Sequence, residues 1–368
     1  MALALSLGRR GLGRTAPNPA VGSVVVRDDG DGAIVVGRGW TQPGGRPHAE
    51  VEALRQAGEA ARGGTLYVTL EPCSHIGRGP PCADAVIAAG VRRVVSAMDD
   101  PNPAIAGRGH ARLRTAGITV DAGAGEAAAR RAHAGHILRM KDHRPHVTLK
   151  MAVSADGKVA LVGRRPVAIT GEEARARVHL MRAQSDAILI GIGTAQADDP
   201  LLTCRLPGMA DRSPIRVVID ARLELPITGR LVQTAREMPL WLITAGGFDE
   251  GRADILRGHG VEVLSTNADD ARPDIAGILR LLNERGITRL LVEGGPRISA
   301  AFLRAGLVDH AVVLRSSAVI GPDGIDAFDG LPLETVTASA EFASQGVQEI
   351  GRDTIESFER RDLACLPG

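Results

Sequence analysis

The sequence predicts an α/β protein built from two domains. Apolar runs of strand length alternate with helical patterns along the chain, an order that is typical of sheets covered by helices. The length of 368 residues is enough for two domains of ordinary size. Because aromatic residues make up only 2% of the chain, we expect the cores to be built mainly from Ala, Val, Leu and Ile.

The first domain is predicted to span residues 1–142. The opening sequence MALALSLGRRG is interpreted as the end of an amphipathic helix, and further helices are expected to begin near residues 48, 81 and 109. The strands that alternate with these helices are VGSVVV, AIVVGRGW, TLYVTL, RRVVSAM and GITVDA. This alternation favours a mainly parallel sheet that is covered by helices.

The second domain is predicted to span residues 143–368, after a charged segment that contains several His and ends in a Pro. Its expected strands are HVTLKMAVS, AILIGIG, IRVVID, LWLIT, VEVLS, RLLVEGG and AVVLR. Helical patterns lie between most of these strands, so we expect a second α/β domain.

One stretch, TGEEARARVHLMRAQ, illustrates the helical signal of the second domain. Thr170 and Glu173 have the spacing of a capping box, in which two side chains bind the first backbone N–H groups of a helix. Ala174, Val178 and Met181 then recur on one face. The pattern therefore predicts a helix with an apolar side toward the core.

Composition and charge exclude several classes of partner. A formal net charge of +1 gives no general attraction to nucleic acid or anionic lipid, so a small anionic ligand would be held by a few placed groups. Four scattered cysteines, Cys73, Cys82, Cys204 and Cys365, are too few for a disulfide framework, which favours the cytoplasm. No apolar run approaches the length of a membrane span, and the opening lacks the order of a secretory signal.

A His, a Glu and two cysteines form the most informative pattern. GGRPHAEVEAL places His48 and Glu50 at the start of one predicted helix, and LEPCSHIGRGPPCADAVIAAG places Cys73 before, and Cys82 at, the start of another. Imidazole and thiolate are good zinc ligands, and three protein ligands leave a position for water. A neighbouring carboxylate can move a proton from that water to a leaving amine, as in zinc deaminases. We therefore predict zinc ligands His48, Cys73 and Cys82, with Glu50 as the catalytic proton shuttle.

Other interpretations of this pattern stay open. A His-Ala-Glu tripeptide often occurs by chance, and the eight residues between the cysteines exceed the usual two to four of zinc-binding pairs. A closed structural zinc site with His75 as its fourth ligand is one alternative. That alternative predicts a metal with four protein ligands and no water.

The same stretches resemble the RibD family of bifunctional riboflavin biosynthesis enzymes. HAEVEAL, TLYVTLEPCSHIGRGPPC, DDPNPAIAGRG and TAPNPAVGSVVV look like the deaminase half of this family, in which a longer loop between the cysteines is a variant of the cytidine-deaminase pattern. The resemblance implies a cytidine-deaminase-like α/β/α domain and a phosphoribosylated diaminopyrimidine substrate. Its candidate substrate contacts are Asn18, Ser74, His75 and Arg78. Asn18 is equally well explained as a residue that forms a turn.

The second half resembles the reductase half of the same family. The matching stretches are LKMAVSADGKVA, HLMRAQSDAILIGIGTAQADDPLLTCR and LLVEGGPRISAAFL. The resemblance implies a dihydrofolate-reductase-like fold and NADPH-dependent reduction of the ribosyl group to ribityl. It places the following residues at the cofactor: Ala152, Ala168, Thr194, Asp198, Gly295, Pro296, Arg297, Ile298 and Ser299. It places the following residues at the substrate: Pro166, Arg182, Leu202, Arg205 and Glu293.

The residue types and patterns of the second half are compatible with the cofactor and substrate sites that this resemblance implies. VEGGPRIS is a strand that runs through a Gly-Gly turn into a helix, a geometry that lets backbone N–H groups meet a cofactor phosphate. Arg182 and Arg205 carry the planar donor fork that suits a substrate phosphate. Lys150 and Asp156 lie at a strand end, where the Asp-Gly pair is equally typical of an ordinary turn.

One stretch departs from the family. Many members have Ser-x-Trp-Ile-Thr after the first reductase strand, whereas this chain has RPVAIT, with Pro166 and Ala168 in place of the Ser and the Trp. A side chain expected at the substrate and an aromatic ring expected at the cofactor are therefore missing. We expect reductase activity to persist because the Arg, Asp and Glu-Gly-Gly positions are retained.

Three alternative functions follow from the sequence. The RPVAIT departure favours a deaminase whose second domain only binds a ligand or supports a dimer. The charge of +1 and the scarcity of aromatic residues oppose a nucleic-acid deaminase, and a non-enzymatic zinc module would need four protein ligands. The expected cofactors are Zn²⁺ and NADPH. The expected partners are a small phosphoribosylaminopyrimidine and further copies of the chain in a dimer or tetramer, with no nucleic acid and no membrane.

Overall fold

The chain divides into two compact units, Met1–Pro145 and His146–Gly368. The computed structural model describes residues 1–28, 30, 32–77, 79–161, 169–266 and 274–361. Both units combine helices with a β-sheet, so the α/β class predicted from the sequence is confirmed. The limits of the functional domains, residues 1–142 and 143–368, stay a prediction.

The first unit is built on a five-stranded sheet. Its strands are β1 (Gly22–Asp28), β2 (Ala33–Trp40), β3 (Thr65–Val68), β4 (Arg93–Ser96) and β5 (Thr119–Ala122). Its helices are α1 (Ala2–Gly8), α2 (Ala49–Ala57), α3 (Cys82–Ala88), α4 (Arg108–Thr115), α5 (Glu126–Ala132) and α6 (Ala134–Lys141). The strands lie in the order β2-β1-β3-β4-β5. The strands predicted for this part of the chain are therefore all present.

The sheet of the first unit is mixed, so the prediction of a mainly parallel sheet is confirmed only in part. β3, β4 and β5 are parallel, but β1 is antiparallel to both of its neighbours, β2 and β3. Only four residues separate Asp28 from Ala33, whereas a parallel connection needs about a dozen or more. β1 and β2 therefore form a hairpin.

Two glycines of β2 allow α2 to lie directly on the sheet. A Cβ atom at Gly37 would overlap the carbonyl oxygen of Ala53, and one at Gly39 would overlap that of Ala49. Ala49 and Ala53 are fully buried at this contact. The close approach fixes the start of α2, where His48 lies.

The second unit contains a nine-stranded sheet and a separate two-stranded sheet. Its strands are β6 (His146–Val153), β7 (Lys158–Ala160), β8 (Ala187–Gly191), β9 (Ile215–Ile219), β10 (Leu240–Ala245), β11 (Glu262–Thr266), β12 (Arg289–Val292), β13 (His310–Arg315), β14 (Ile325–Asp326), β15 (Phe342–Ile350) and β16 (Asp353–Arg360). Its helices are α7 (Glu172–Ala183), α8 (Ile192–Asp198), α9 (Arg230–Gln233), α10 (Glu250–Gly258), α11 (Ile275–Glu284), α12 (Pro296–Arg304) and α13 (Glu334–Thr337). The sheet order is β11-β10-β9-β8-β12-β6-β13-β16-β15, and β7 pairs separately with β14.

Parallel strands form the centre of this sheet. All neighbouring pairs from β11 to β13 are parallel, and β8 and β10 are buried along their whole length, as is usual when helices cover both faces. β8, β12 and β6 are adjacent, so their carboxyl ends meet at one edge of the sheet. No helix in the described part of the chain combines enough length and apolar character to span a bilayer.

The final hairpin is not predicted from the sequence. β15 and β16 are antiparallel and extend the sheet beyond β13. β15 lies at the edge of the sheet, and most of its residues are exposed. It therefore lacks the alternation of apolar and polar residues that identifies a half-buried strand.

The predicted helix of TGEEARARVHLMRAQ is present as α7, but its predicted capping box is wrong. The N-cap is Gly171, which has no side chain to cap the helix, and the Gly171 N–H donates to Asp353 Oδ2 at 2.6 Å. A carboxylate that is distant in sequence thus binds the backbone N–H of the N-cap residue itself. Ala174 and Val178 are buried, as the apolar pattern predicts.

Candidate active sites

Three side chains meet near the amino-terminal ends of two helices in the first unit. His48 is the N-cap of α2, Cys82 is the first residue of α3, and Cys73 lies in the loop after β3. His48 Nδ1 lies 3.2 Å from Cys82 Sγ and 3.7 Å from Cys73 Sγ. The potential ligand atoms all lie within 4.8 Å of one another. One nitrogen and two sulfurs therefore face a common point.

The loop between the two cysteines closes on the start of α3. The backbone N–H of Cys82 donates to Cys73 Sγ at 3.2 Å, and the N–H of Ala83 donates to the Cys73 carbonyl oxygen at 3.1 Å. The first N–H groups of a helix have no partner within the helix, so they are available for these bonds. The long spacing between the cysteines is therefore compatible with two adjacent sulfurs.

The thiols of Cys73 and Cys82 have pKa values that are shifted in opposite directions. Hydrogen bonding from Cys82 lowers the pKa of the Cys73 thiol to about 4, against the opposing effect of burial, and His48 adds to the lowering. The same hydrogen bond raises the pKa of Cys82, and burial raises it further. Cys73 is therefore the first of the two thiols to become a thiolate.

Glu50 is the buried carboxyl group beside this cluster. It lies in the first turn of α2 and is 3% exposed. Burial raises the pKa of Glu50, although the charge of His48 opposes the rise. A carboxyl group with a raised pKa is suited to exchange a proton near neutral pH. The geometry is therefore compatible with the predicted proton shuttle.

The donor set of this cluster fits zinc. Two thiol sulfurs and one imidazole nitrogen are ligands that zinc prefers, and three protein ligands are typical of catalytic zinc sites. Within the described ranges, His75 is exposed and its ring nitrogens do not belong to the converging group of donor atoms. The arrangement therefore favours three protein ligands over the closed four-ligand site.

A second buried carboxylate, Glu71, organises the neighbouring segment. Its oxygens accept hydrogen bonds at 2.7 to 3.2 Å from the backbone N–H groups of Asp100, Gly107, Gly109 and His110. Asp99 and His110 also lie near Glu71, but four N–H dipoles already neutralise the carboxylate and disfavour a cation there. Glu71 instead fastens segment 100–110 to the chain just before Cys73.

Two of the predicted substrate contacts of the first unit, Ser74 and His75, directly follow Cys73 in the chain. Asn18 packs against Gly45, where a side chain would overlap the Asn18 amide. Ser74 is half-buried and His75 is exposed in the loop between the cysteines. Arg78 lies outside the described residues.

Arg46 is a residue near this cluster that the sequence patterns do not single out. Its positive charge lowers the pKa of His48, although the net shift of that imidazole is upward because of the hydrogen bond with Cys73. The available signal was its position in GGRPHAE, two residues before the predicted ligand. Basic residues in loops are common enough that this position alone was not informative.

In the second unit, the predicted Gly-Gly turn contacts the predicted Thr. Gly295 is the N-cap of α12, and its N–H donates to Thr194 Oγ1 at 3.1 Å. Ile298 packs closely over the turn, since a Cβ atom at Gly294 would lie 2.6 Å from Ile298 Cγ2. Ser299 Oγ donates to the Gly294 carbonyl oxygen at 3.3 Å. The structure therefore brings Thr194 together with the first turn of α12.

A largely buried cluster of charged side chains includes Glu293, which directly precedes this turn in the sequence. Arg182 Nε and Nη2 donate to the two Glu293 carboxylate oxygens at 2.8 and 2.9 Å, and Lys150 Nζ lies 3.6 Å from Glu293 Oε2. Burial opposes ionisation of Glu293, but the charges of Lys150 and Arg182 lower its pKa to about 2. Arg182 also donates to the Thr203 carbonyl oxygen at 3.1 Å. Its guanidinium is thus engaged with the protein, unlike the open fork that suggested a phosphate contact.

Arg205 and His179 lie near the same cluster. Arg205 is exposed, and its backbone N–H donates to His179 Nδ1 at 3.3 Å. Burial lowers the pKa of His179, and the charges of Arg182 and Arg205 lower it further. Leu202 is buried with a φ of 57°, which is rare for a bulky side chain. His179 is not predicted from the sequence, although its position three residues before Arg182 places both on one helix face.

The other predicted positions of the second unit are more scattered. Ala152 lies near the carboxyl end of β6, and Pro296 is the first residue of α12. Asp198 is exposed at the end of α8. Arg297 lies 3.8 Å from Asp329 in an exposed ion pair. Two predicted positions lie outside the described residues: Pro166 and Ala168.

Replacing Glu293 by Gln is expected to destabilise the second unit by about 3 to 5 kcal/mol near pH 7, because Lys150 and Arg182 would lose a buried counter-charge. The pKa of Glu293 falls from 4.5 to about 2 on folding, so the ionised carboxylate contributes stability above pH 4.5. That contribution is lost as the pH falls toward 2. The difference between wild type and variant should shrink over the same interval.

Urea unfolding at several pH values measures this effect. Fluorescence of the buried Trp241 reports on the second unit when Trp40, the other Trp of the chain, is replaced by Phe. Glu284→Gln is a matched control, because Glu284 is exposed at the end of α11 and should change stability by less than about 0.5 kcal/mol. Equal stability of the Glu293 variant and wild type at pH 7 would contradict the prediction.

Comparison with known families defines the class of this protein. Residues 1–98 match the family described as the cytidine and deoxycytidylate deaminase zinc-binding region. Residues 145–355 match the RibD C-terminal domain. The chain therefore joins a zinc-binding deaminase domain to a reductase-type domain, as the two α/β units and the sequence motifs indicate.

The similarity to individual proteins extends over nearly the whole chain. The riboflavin biosynthesis protein RibD of Aquifex aeolicus is 40% identical over 98% of this chain and 97% of that protein. The RibD of Escherichia coli is 40% identical, with 96% of each chain covered. The structure of Acinetobacter baumannii RibD matches with a TM-score of 0.85 and 36% identity, covering 98% of this chain and 97% of that one.

A further solved structure carries an explicit activity in its name. It is a diaminohydroxyphosphoribosylaminopyrimidine deaminase/5-amino-6-(5-phosphoribosylamino)uracil reductase from Thermotoga maritima, with a TM-score of 0.83, 33% identity, and coverage of 98% of this chain and 97% of that one. This chain belongs to the RibD family of bifunctional deaminase–reductases of riboflavin biosynthesis. The resemblance stated from the sequence motifs is thereby confirmed.

Proposed function

We propose that the first unit hydrolytically removes the C2 amino group of 2,5-diamino-6-(5-phosphoribosylamino)pyrimidin-4(3H)-one, which leaves the amines at C5 and C6 in place. The second unit would then reduce the ribosyl group of 5-amino-6-(5-phosphoribosylamino)uracil to ribityl with NADPH. The observation that carries the proposal is the convergence of His48, Cys73 and Cys82 beside the buried Glu50. The name of the Thermotoga maritima relative supports both reactions and both substrates.

In the deaminase reaction, the chain positions a metal and moves a proton. His48, Cys73 and Cys82 would hold Zn²⁺ through Nδ1 and the two sulfurs. Bound zinc supplies a Lewis acid that makes water nucleophilic near neutral pH. Glu50, whose pKa is raised by burial, accepts the proton released from water and donates it to the leaving amine. A C–O bond forms, the C–N bond breaks, and ammonia leaves.

In the reductase reaction, the chain positions two ligands. The first turn of α12 offers the backbone N–H groups of Arg297 and Ile298, which have no partner within the helix, to a cofactor phosphate. NADPH supplies the hydride. We infer that Lys150, whose Nζ lies 3.6 Å from Glu293 Oε2, delivers the proton that accompanies the hydride. Arg205, exposed at the same cluster, is suited to the substrate phosphate.

One assay tests both reactions. The zinc-loaded full chain is incubated with the diaminopyrimidine substrate, with and without NADPH, and ammonia and NADPH are followed separately. We expect ammonia in both conditions and NADPH oxidation only after deamination. Ammonia release without any NADPH oxidation would favour the alternative function, a deaminase with a non-catalytic second domain. The cytoplasmic location and assembly as a dimer or tetramer stay predictions from the sequence.

Replacing Gly295 by Val is expected to slow NADPH oxidation on the order of a hundredfold, the scale seen when reacting groups are misplaced by about 1 Å. A Cβ atom at this position would lie 3.0 Å from Thr194 Oγ1, so the turn must shift. Ammonia release should be unchanged. Gly246→Val is the control, since a Cβ atom there meets nothing within 4 Å. Normal NADPH kinetics in the Gly295 variant would argue against a cofactor at this turn.

A further inference from the structure

The guanidinium group of Arg46 lies against the loop that joins the two cysteines. A Cβ atom at Gly77 would lie 3.0 Å from Arg46 Nη2, and one at Gly79 would lie 3.4 Å from Arg46 Nη1. The absence of side chains at these glycines therefore makes room for the guanidinium. Arg46 also precedes His48 by two residues, and its positive charge is close enough to lower the pKa of His48.

Arg46 has no counter-charge in the described structure. No hydrogen bond or ion pair joins its half-buried side chain to another described residue, whereas Arg55 of α2 pairs with Glu52 at 2.9 Å. The carboxylates closest in sequence are already committed: Glu52 to that pair, and Glu50 to the buried position beside His48. The five donor N–H groups of the Arg46 guanidinium are therefore available to a ligand at the zinc cluster.

A net charge of +1 over the whole chain means that an anionic ligand must be held by individual placed cations. The substrate of the proposed function carries a phosphate monoester on its ribose. Guanidinium binds phosphate through two parallel hydrogen bonds, a geometry that lysine lacks. Arg46 combines this chemistry with a position against Gly77 and Gly79, which lie between the two cysteines of the cluster.

We propose that Arg46 binds the phosphate group of the deaminase substrate and thereby selects phosphorylated over dephosphorylated aminopyrimidines. This proposal rests on the proposed function, because it assigns a role within that reaction. It concerns recognition of the substrate phosphate, whereas the bond-breaking steps depend on Glu50 and the zinc ligands. Arg46 would therefore affect KM much more than kcat.

The test compares wild type, Arg46→Gln and Arg46→Lys in the zinc-loaded full chain. Ammonia release is measured with the phosphorylated substrate and with its dephosphorylated counterpart, and zinc content is measured in each protein. With the phosphorylated substrate, Arg46→Gln should raise KM about tenfold to a hundredfold at similar kcat. Arg46→Lys should raise it less, because the charge is kept. With the dephosphorylated substrate, all three proteins should have similar KM values.

A control variant and a binding experiment separate the possible failures. Arg38→Gln removes an exposed arginine of β2 and should leave both KM values unchanged. If Arg46→Gln has no effect, or affects both substrates equally, phosphate recognition by Arg46 is refuted. If wild type releases no ammonia, the proposed function fails instead. Calorimetric titration with ribose 5-phosphate then decides the role of Arg46, since identical binding by wild type and Arg46→Gln would refute it.

Discussion

Glu50→Gln is expected to retain zinc and to lose ammonia release by on the order of a hundredfold to ten-thousandfold, the range typical of a general acid–base group. The amide keeps the shape of the carboxyl group but cannot carry the proton between water and the leaving amine. The position favours a large effect because Glu50 is 3% exposed, so bulk water cannot easily replace it. Metal analysis and initial rates of ammonia release measure the two parts of this prediction.

Glu52→Gln is the matched control for this variant. Glu52 lies in the same turn of α2 but pairs with the exposed Arg55, so its amide should leave both zinc and rate nearly unchanged. NADPH oxidation by the second unit, supplied with the deaminated substrate, should also be unaffected in Glu50→Gln. Near-normal ammonia release by Glu50→Gln would eliminate Glu50 as the proton shuttle.

Cys73→Ser and Cys82→Ser are each expected to abolish zinc retention and, with it, ammonia release. Each substitution leaves one sulfur and one imidazole nitrogen, too few for the tetrahedral coordination that zinc prefers. The loss at Cys73 should also loosen the loop, because its sulfur accepts the Cys82 N–H at 3.2 Å. Zinc content after dialysis against a weak chelator measures the effect.

Two control variants test whether zinc loss is specific to the substitutions at Cys73 and Cys82. Cys204→Ala removes a buried thiol of the second unit and should leave zinc content unchanged. His75→Ala should also retain zinc, because the described His75 is exposed and outside the converging donors. Loss of zinc in His75→Ala to the same extent as in Cys73→Ser would restore the closed four-ligand site and count against catalysis there.

Two of the three candidate zinc ligands, His48 and Cys82, could be predicted from the sequence because each lies at the start of a helix. His48 and Cys82 each follow a Pro and begin a helix, and helix starts are readable from short stretches. The same holds for the buried parallel strands of the second unit, whose apolar runs identify them. In these cases neighbouring residues alone carry the information.

Contacts between distant residues could not be predicted in this way. Asp353 binds the Gly171 N–H although 182 positions separate them, a contact that the expected capping box of Thr170 and Glu173 does not include. Lys150 and Glu293 are brought together only because β6 and β12 are adjacent in the sheet. The position of the Arg46 guanidinium likewise depends on Gly77 and Gly79, two glycines of another loop. Strand order and loop packing decide these pairs, and local patterns do not encode them.

The hydrogen bonds to Glu71 affect how far the segment after β4 can change in length. Glu71 Oε2 accepts the N–H groups of both Asp100 and Gly107, so the chain between them is a ring closed by one side chain. The entropy of closing a flexible ring grows only with the logarithm of its length, by about 0.6 kcal/mol for each doubling. We therefore expect insertions between Asp100 and Gly107 to reduce stability only slightly. The hydrogen bonds to Glu71 would still hold the start of α4 beside the segment that leads to Cys73.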